Sequence, residues 1–142
     1  MVVYIDGGAR GNPGRAAIGF VVFDDHHSEL HRYGAHIGVS TNNCAEYTAL
    51  IEALTYLSSE NPHADISNSD EPVTIYSDSE LIVRQMNGVY KVKDPKLIPL
   101  HRKARKLMDR HDSVHIHHIP RKENPIADAI VNRVLDNRDI YR

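Results

Sequence analysis

Apolar and β-branched residues dominate three short segments near the start of the chain, at residues 2–5, 17–23 and 30–37. Glycine, proline, asparagine, aspartate and serine residues separate these segments, as they commonly separate strands. Because the connections are short, neighbouring strands can pair without a crossover. The pattern predicts an antiparallel meander of three strands.

The next segment changes to a helical period. Its apolar residues recur at spacings of three and four and so occupy one face of a helix: Tyr47, Leu50, Ile51, Leu54 and Leu57. The polar residues before them can cap its first turn: Thr41, Asn42 and Asn43. Residues 58–72 are polar, contain two prolines and predict a surface loop.

The second half of the chain alternates strands and helices. A strand at residues 73–76 leads into a short helix that Ser79 can cap. A basic helix at residues 96–110 and a strand at residues 114–119 follow. The last helix begins at Asn124, whose next residue is a proline in the favoured first helical position.

This order of elements predicts an α/β fold. Strands that are connected through helices pair in parallel by right-handed crossovers. We therefore expect a five-stranded mixed sheet, with three antiparallel strands followed by two parallel ones and helices on both faces. The length of 142 residues and the lack of repeats or linkers predict one domain over residues 1–142.

Charge is distributed unevenly along a chain whose formal net charge is only -2. Residues 91–110 contain eight basic and two acidic side chains. Such a run is either a solvated helix face or a surface that binds nucleic acid, and the sequence leaves both interpretations open.

Cysteine usage and hydropathy give expectations about location. Cys44 is the only cysteine, which excludes an internal disulfide and favours a reducing compartment. No segment approaches the roughly 20 apolar residues of a membrane span, and no basic leader precedes the first strand. We expect an unprocessed cytoplasmic protein without a membrane partner.

Four carboxylates fall where predicted elements begin or end. Asp6 closes the first strand and Asp78 closes the fourth, whereas Glu46 and Asp128 fall in the first turns of helices. If the first and fourth strands are parallel neighbours, Asp6 and Asp78 lie at the same sheet edge, about 4.8 Å apart between strands. Ligands of open α/β sheets bind at that edge.

Converging carboxylates repel one another unless protons or cations lie between them. Oxygen ligands suit Mg²⁺ or Mn²⁺, and two such ions about 3.5–4 Å apart can stabilise both the attacking and the leaving oxygen of a phosphodiester. Taken singly, each residue also has an ordinary structural explanation: the Asp6-Gly7 pair is a strong turn signal, and the others suit caps and turns. Their joint placement favours a metal site.

The stretches that carry these carboxylates resemble, in order and spacing, the motifs of the type 1 ribonucleases H. They are YIDGGARGNPG, STNNCAEYTALIEAL, IYSDSELIVRQMNG and HIPRKENPIADAIVN. The resemblance runs from residue 3 to residue 134 and implies a ribonuclease H-like fold. It also implies endonucleolytic cleavage of the RNA strand of RNA/DNA hybrids by two Mg²⁺ ions per site, with Mn²⁺ as a substitute, leaving 5′-phosphate and 3′-hydroxyl ends.

The resemblance assigns roles residue by residue. It implies four metal-binding and catalytic carboxylates: Asp6, Glu46, Asp78 and Asp128. It implies a second group that binds the substrate: Gly11, Asn12, Asn42, Asn43, Arg121 and Asn124. Three of these asparagines, at positions 12, 42 and 43, match residues that contact the minor groove, where 2′-hydroxyls identify RNA.

A histidine-rich strand offers a further candidate. His118, ten residues before Asp128, matches a mobile histidine of the family that assists proton transfer or product release, and Arg121 is the alternative for this role. Packing against the sheet would equally explain a histidine here. A zinc site of His115, His117 and His118 is disfavoured because strand alternation divides them between two faces and no cysteine joins them.

Two features depart from the family pattern. The chain lacks the tryptophan- and lysine-rich protrusion that some members insert after the Asp-Ser helix, so the basic residues of 91–110 are the candidates for gripping the substrate. Glu80 stands where many members have glutamine. We expect a monomer that binds RNA/DNA hybrid. The alternatives are a non-catalytic hybrid-binding module, disfavoured by the complete carboxylate set, and another metal nuclease of the same superfold, disfavoured by the asparagines.

Overall fold

The computed structural model describes residues 1–58 and 71–137, which form five strands and four α-helices. In chain order they are β1 (Val2–Gly11), β2 (Gly14–Phe23), β3 (Glu29–Ser40), α1 (Asn42–Leu57), β4 (Val73–Ser77), α2 (Glu80–Met86), α3 (Ile98–Met108), β5 (Val114–His118) and α4 (Pro125–Asn137). A 3₁₀ turn at Arg121–Glu123 precedes α4. Most of the predicted loop at 58–72 lies outside the described residues.

The strand order is β3-β2-β1-β4-β5. The β1–β2 and β2–β3 pairs are antiparallel, whereas β1–β4 and β4–β5 are parallel. This confirms the predicted mixed sheet, because the meander brings β1 to β2 directly and the helical crossovers bring β4 and β5 to its other side.

The strands differ in length, which makes a step in the sheet. β1 and β2 have ten residues each, whereas β4 and β5 have five. The parallel pairing of β1 with β4 ends at Ile5 and Ser77, while its pairing with β2 continues to Gly11. We call residues 6–11 of β1, which extend past β4, the β1 overhang.

The structure shows that Asp6 does not end its strand, in contrast to the prediction. We expected it to close the first strand, or to form a turn with Gly7, but β2 pairs with β1 as far as Gly11. The reversal of direction lies further on, at Asn12 and Pro13, where Gly11 adopts a φ of 87° that favours glycine. Asp6 is therefore an interior residue of its strand.

Helices cover both faces of the sheet. The larger core lies between the sheet and α1, α2 and α3, and includes Val3, Ile5 and Leu50. α4 packs on the opposite face, where Val134 and its apolar neighbours meet Ala17 of β2. Successive side chains along β1 and β2 thus point to opposite faces of the sheet, which are covered by different helices.

Gly7 lets α1 approach the β1 overhang. A Cβ atom at this position would lie 2.4 Å from the backbone carbonyl of Ala45 and 2.7 Å from the nitrogen of Glu46. Contacts this short are sterically forbidden with backbone atoms, so only glycine permits the observed packing. The absence of a side chain at residue 7 therefore brings Glu46 next to Asp6.

Candidate active site

A cleft of about 430 Å³ opens at the step in the sheet. All four carboxylates singled out in the sequence line it: Asp6, Glu46, Asp78 and Asp128. Two cations, Arg10 and Arg121, also lie on its wall. The position agrees with the rule that open α/β sheets bind ligands beyond the carboxyl ends of their strands.

Three of the carboxylates form a tight cluster. One ligand oxygen from each of Asp6, Glu46 and Asp78 lies within 4.8 Å of the other two. Asp6 follows the last β1 residue that pairs with β4, Asp78 follows β4 directly, and Glu46 reaches them from α1. Glu46 is the fifth residue of α1, which begins at Asn42, so it follows the first turn and does not belong to it as the sequence predicted.

Side chains of α1 replace the missing neighbour strand along the β1 overhang. The Gly7 backbone N–H lies close enough to the Asp6 and Glu46 carboxylates to lower the pKa of both. The Ala9 N–H donates to Oδ1 of Asn42 at 2.8 Å. Alternate amides that a longer β4 would bind are thereby satisfied, as buried backbone donors must be.

The cluster strongly favours protonated carboxyls. Burial, and then the charge of Asp78, raises the pKa of Asp6 to about 7. Burial, and then the charge of Asp6, raises the pKa of Glu46 well above its usual range. The pKa of Asp78 is also raised by burial, against the opposing hydrogen bond of Asn124 and charge of Arg121. Without a cation, the three groups cannot all ionise readily at neutral pH.

Asp128 lies in the first turn of α4, as predicted, but it is not one of the three carboxylates that lie within 4.8 Å of one another. Its Oδ1 accepts from Nη2 of Arg121 at 3.3 Å, and its Oδ2 accepts from Nδ2 of Asn132 at 3.3 Å. Asp128 therefore has a cationic partner, although its charge still contributes to the raised pKa of Asp6 and of Asp78. Arg121 offsets its charge, while the other three have no such ion pair among the described residues.

The donor set of the cluster fits a divalent cation. Within residues 1–58 and 71–137, Asp6, Glu46 and Asp78 are the only three carboxylate, histidine or cysteine side chains close enough to share an ion. Oε2 of Glu46 is buried and lacks a hydrogen-bond partner. Anionic oxygen ligands of this kind are those that Mg²⁺ and Mn²⁺ prefer.

Arg121 and His118 occupy different positions relative to the cleft. Arg121 is exposed, lines the cleft and contacts Asp128. His118 ends β5 opposite Ser77 and is also exposed; it lies near enough to lower the pKa of Asp78, but it does not line the cleft. The remaining histidines of β5 are exposed, and no histidine cluster that could hold zinc is found among the described residues.

The asparagines beside the cleft form an ordered pair. The backbone N–H of Asn42 donates to Oδ1 of Asn12 at 3.0 Å, and Oδ1 of Asn42 accepts from Ala9. Since each side-chain oxygen faces a backbone donor, the amide NH₂ groups point away from the protein backbone. Both asparagines and Asn43 are exposed, so they present donors beside Gly11 at the surface.

Asn124 differs from the other asparagines because it is 1% exposed. Its Nδ2 donates to the carbonyl of Ile5 at 2.8 Å, and its amide lies close enough to Asp78 to lower the pKa of that carboxyl. These contacts hold β1, Asp78 and the start of α4 together. The predicted direct contact of Asn124 with substrate does not agree with this burial.

Two residues of the cleft were not predicted from the sequence to belong to the site. Asn132 bonds to Asp128, and its spacing of four residues on a helix is the signal that identifies this contact. Arg10 lies on the cleft wall and forms an ion pair with Asp136. No local pattern reveals this pair, because it joins residues that are distant in the chain.

The basic residues of 91–110 contribute to a second, larger depression of about 1120 Å³, which we call the basic groove. It lies between residues 88–92 and α3, and its lining includes Tyr90, Lys91, Arg102, Lys106 and Arg110. The Arg84 guanidinium lies 5.4 Å from the centre of the Tyr90 ring. The basic residues therefore line a concave surface, and whether it binds nucleic acid or only faces solvent stays open.

Arg105 in the same helix has a structural role. Its Nη1 donates to the carbonyl of Met86, and its Nε and Nη2 donate to Oδ1 of Asp109. Its charge is thus partly neutralised, and the side chain fixes α3 to the end of α2. None of the helices in the described part of the chain is long and apolar enough to cross a membrane.

Comparison with known proteins gives a consistent result. Residues 4–134 match the family described as Reverse transcriptase-like. The chain is 39% identical over 134 residues to ribonuclease HI of Halobacterium salinarum, covering 94% of this chain and 63% of that protein. It is 36% identical over 137 residues to the bifunctional protein Rv2228c of Mycobacterium tuberculosis, covering 96% of this chain and 35% of that protein. It therefore spans less than two thirds of either relative.

Solved structures resemble the fold over nearly the whole chain. LC11-RNase H1, crystallised in complex with an RNA/DNA hybrid, has a TM-score of 0.88 and 46% identity, covering 96% of this chain and 97% of that one. RNase H1 of Halobacterium salinarum has a TM-score of 0.82 and 37% identity, with coverage of 96% and 97%. Both fold and sequence thus agree with the same family.

Proposed function

The chain belongs to the type 1 ribonuclease H family, and from this premise we propose that it is an endonuclease that hydrolyses the RNA strand of RNA/DNA hybrids. One observation carries the proposal. The buried cluster of Asp6, Glu46 and Asp78 has the oxygen donors of a divalent-cation site and lies at the sheet edge where ligands bind.

The carboxylates have distinct tasks in this proposal. Asp6, Glu46 and Asp78 would hold Mg²⁺ or its substitute Mn²⁺, and Asp128 would complete the site for a second ion. Bound cations would supply Lewis acidity to the scissile phosphate and a more acidic water. Arg121 orients Asp128 through their ion pair and offers its remaining donors to a phosphate at the mouth of the cleft.

The expected products carry 5′-phosphate and 3′-hydroxyl ends. A cyclic phosphate would require a base to activate the 2′-hydroxyl of the RNA, and histidine is the common choice for such a base near neutral pH. No histidine is among the described residues that line the cleft. The cleft instead favours attack by water on the phosphorus.

Substrate recognition divides between two surfaces. The exposed amides of Asn12, Asn42 and Asn43 would donate to 2′-hydroxyls in the minor groove, which distinguish RNA from DNA. The basic groove would bind backbone phosphates, a contribution that is independent of sequence and sensitive to salt. We propose that a monomer in the cytoplasm makes both sets of contacts.

A cleavage assay tests the proposal directly. End-labelled RNA/DNA hybrid, double-stranded RNA and double-stranded DNA are each incubated with Mg²⁺, Mn²⁺ or chelator, and the product ends are identified. We expect cleavage of hybrid RNA with either metal, no cleavage in chelator and no cyclic phosphate. Hybrid binding without cleavage in any metal would instead establish a binding module, and cyclic phosphate would exclude water as the nucleophile.

A further inference from the structure

A buried side-chain hydrogen bond joins α1 to α2. The hydroxyl of Tyr47 donates to Oε1 of Gln85 at 2.5 Å, and the two residues are 0% and 6% exposed. Both belong to the interior of the helical layer, where an unmade polar contact is costly. The bond therefore holds the two helices in one relative position.

This contact lies between the elements that carry two of the clustered carboxylates. Tyr47 directly follows Glu46 in α1, and α2 begins two residues after Asp78. A helix is stiff over one or two turns, so fixing Tyr47 also fixes the rotation of α1 about its axis and hence the direction of Glu46. On its other side, α1 rests against Gly7 of the β1 overhang.

Gln85 is an anchor because α3 and β5 hold its helix from the far side. Nε2 of His101 lies 3.3 Å from the Gln85 carbonyl oxygen, and Arg105 donates to the carbonyl of Met86. Asn87 donates to the carbonyl of Ile116 in β5 at 3.2 Å. The last carbonyls of α2 are thus bound, and the helix cannot shift independently of the sheet.

We propose that Tyr47 and Gln85 are positioning residues that set the separation of Glu46 and Asp78 and thereby the affinity of the cluster for a divalent cation. The inference rests on the proposed metal-dependent function. Like-charged carboxylates move apart unless packing opposes their repulsion. The Tyr47–Gln85 bond opposes it by keeping α1, which carries Glu46, from moving away from α2, which follows Asp78.

Three variants test this inference: Tyr47→Phe, Gln85→Leu and the double variant. Mn²⁺ affinity is measured on the protein alone by electron paramagnetic resonance, and the melting temperature is measured in chelator. We expect Tyr47→Phe to lower both, with Mn²⁺ binding weakened about five- to tenfold, less than the loss usual for a direct partner of a metal ligand. The kcat should fall while hybrid affinity in chelator is unchanged.

The double variant separates positioning from stability. Replacing both partners by apolar groups leaves no buried polar atom unpaired, so the melting temperature should return towards that of the wild type. Mn²⁺ affinity should remain low, because the bond that fixes α1 is still absent. If Mn²⁺ affinity returns together with stability, the pair is merely structural and the inference is overturned.

Two controls complete the experiment. Thr48→Val removes another α1 hydroxyl, which donates to the Cys44 carbonyl at 2.7 Å, and should leave Mn²⁺ affinity within twofold. Asp6→Asn should weaken Mn²⁺ binding in every background. If the wild type and Asp6→Asn bind Mn²⁺ equally, the metal site itself is wrong, and both the proposed function and this inference fail. Loss of affinity in Asp6→Asn alone, with Tyr47→Phe unaffected, overturns only the inference.

Discussion

The carboxylate cleft and the basic groove contain opposite charges in opposite environments. In the cleft, Asp6 and Glu46 are each 7% exposed and lie against a third carboxylate. In the groove, Arg102, Lys106 and Arg110 are exposed to solvent and spread over a larger depression. The fold therefore confines negative charge where it is costly and leaves positive charge where it costs little.

This difference indicates what each region can contribute. Buried like charges raise one another's pKa and create strong demand for a cation, so small changes there alter chemistry. Exposed cations are screened by salt and act mainly through the summed field that attracts phosphates. Mutations in the cleft should change turnover and stability, whereas mutations in the groove should change affinity.

The largest effect should come from Asp6→Asn. The amide keeps the shape of the side chain but is a weaker ligand for Mg²⁺, so the single-turnover rate should fall at least about 10³-fold. Hybrid affinity in chelator should survive, because the asparagines and the basic groove are intact. The matched control is Asp136→Asn, an exposed carboxylate that pairs with Arg10 and should retain wild-type rate. Near-normal cleavage by Asp6→Asn would exclude Asp6 as a metal ligand.

Stability in metal-free buffer should decrease as pH rises. The pKa of Asp6 is about 7 in the folded state and about 3.8 when unperturbed, so the folded protein binds more protons between these values. Asp6 alone should lower the free energy of unfolding by up to roughly 1.4 kcal/mol per pH unit across this window, and the raised pKa values of Glu46 and Asp78 act in the same direction. Urea denaturation at several pH values measures it.

Asp6→Asn and Mg²⁺ serve as the two references for that pH series. The variant removes one like charge, so it should melt higher than the wild type in chelator at pH 7 and depend less on pH. Mg²⁺ should narrow the gap by stabilising the wild type more. A lower melting temperature for the metal-free variant would mean that favourable contacts of the Asp6 carboxylate, such as that with the Gly7 N–H, outweigh the repulsion.

Arg121→Ala should have an intermediate effect. It removes the partner of Asp128 and the exposed cation at the mouth of the cleft, so we expect kcat to fall about tenfold or more. His118→Ala should reduce kcat less, because His118 does not line the cleft. Steady-state kinetics of both variants decide the assignment. A larger loss for His118→Ala would give the proton-transfer or release role to the histidine.

The smallest effect should come from the basic groove. Changing Arg102, Lys106 and Arg110 together to glutamine should raise KM about tenfold and reduce the salt dependence of binding, with little change in kcat. Arg105 is left intact because it holds α2. Lys103→Gln is the matched control, since this exposed lysine of α3 is outside the groove lining. Equal KM values for the triple variant and this control would show that the groove does not face substrate.

The sequence predicts the order of elements well because the signals are local. Apolar spacing identifies α1, and Thr41 caps it as expected, its Oγ1 accepting from the backbone N–H of Cys44 at 3.2 Å. The sequence does not predict the full length of β1. Residues 6–11 contain three glycines, and their strand conformation depends on pairing with β2. Propensity does not report that tertiary pairing.

The sequence likewise predicts some features of the candidate site and not others. Element ends indicate that Asp6, Glu46, Asp78 and Asp128 meet in one cleft, and this expectation agrees with the structure. The sequence does not predict the ion pair between Arg121 and Asp128, because Arg121 precedes α4 and no helical spacing relates the two residues. Likewise, the burial of Asn124 follows from the packing of α4 against the sheet rather than from its capping position.

The β1 overhang makes two backbone amides into reporters of the cleft. The Gly7 N–H lies beside the Asp6 and Glu46 carboxylates, past the end of the pairing with β4, and the Ala9 N–H donates to the Asn42 side chain. Their deuterium uptake should therefore follow movements of α1, while the alternate amides bonded to β2 stay protected until the sheet opens. Two peptide protons, observed by hydrogen exchange, would then record when the first helix engages or leaves its sheet, without any substrate being cleaved.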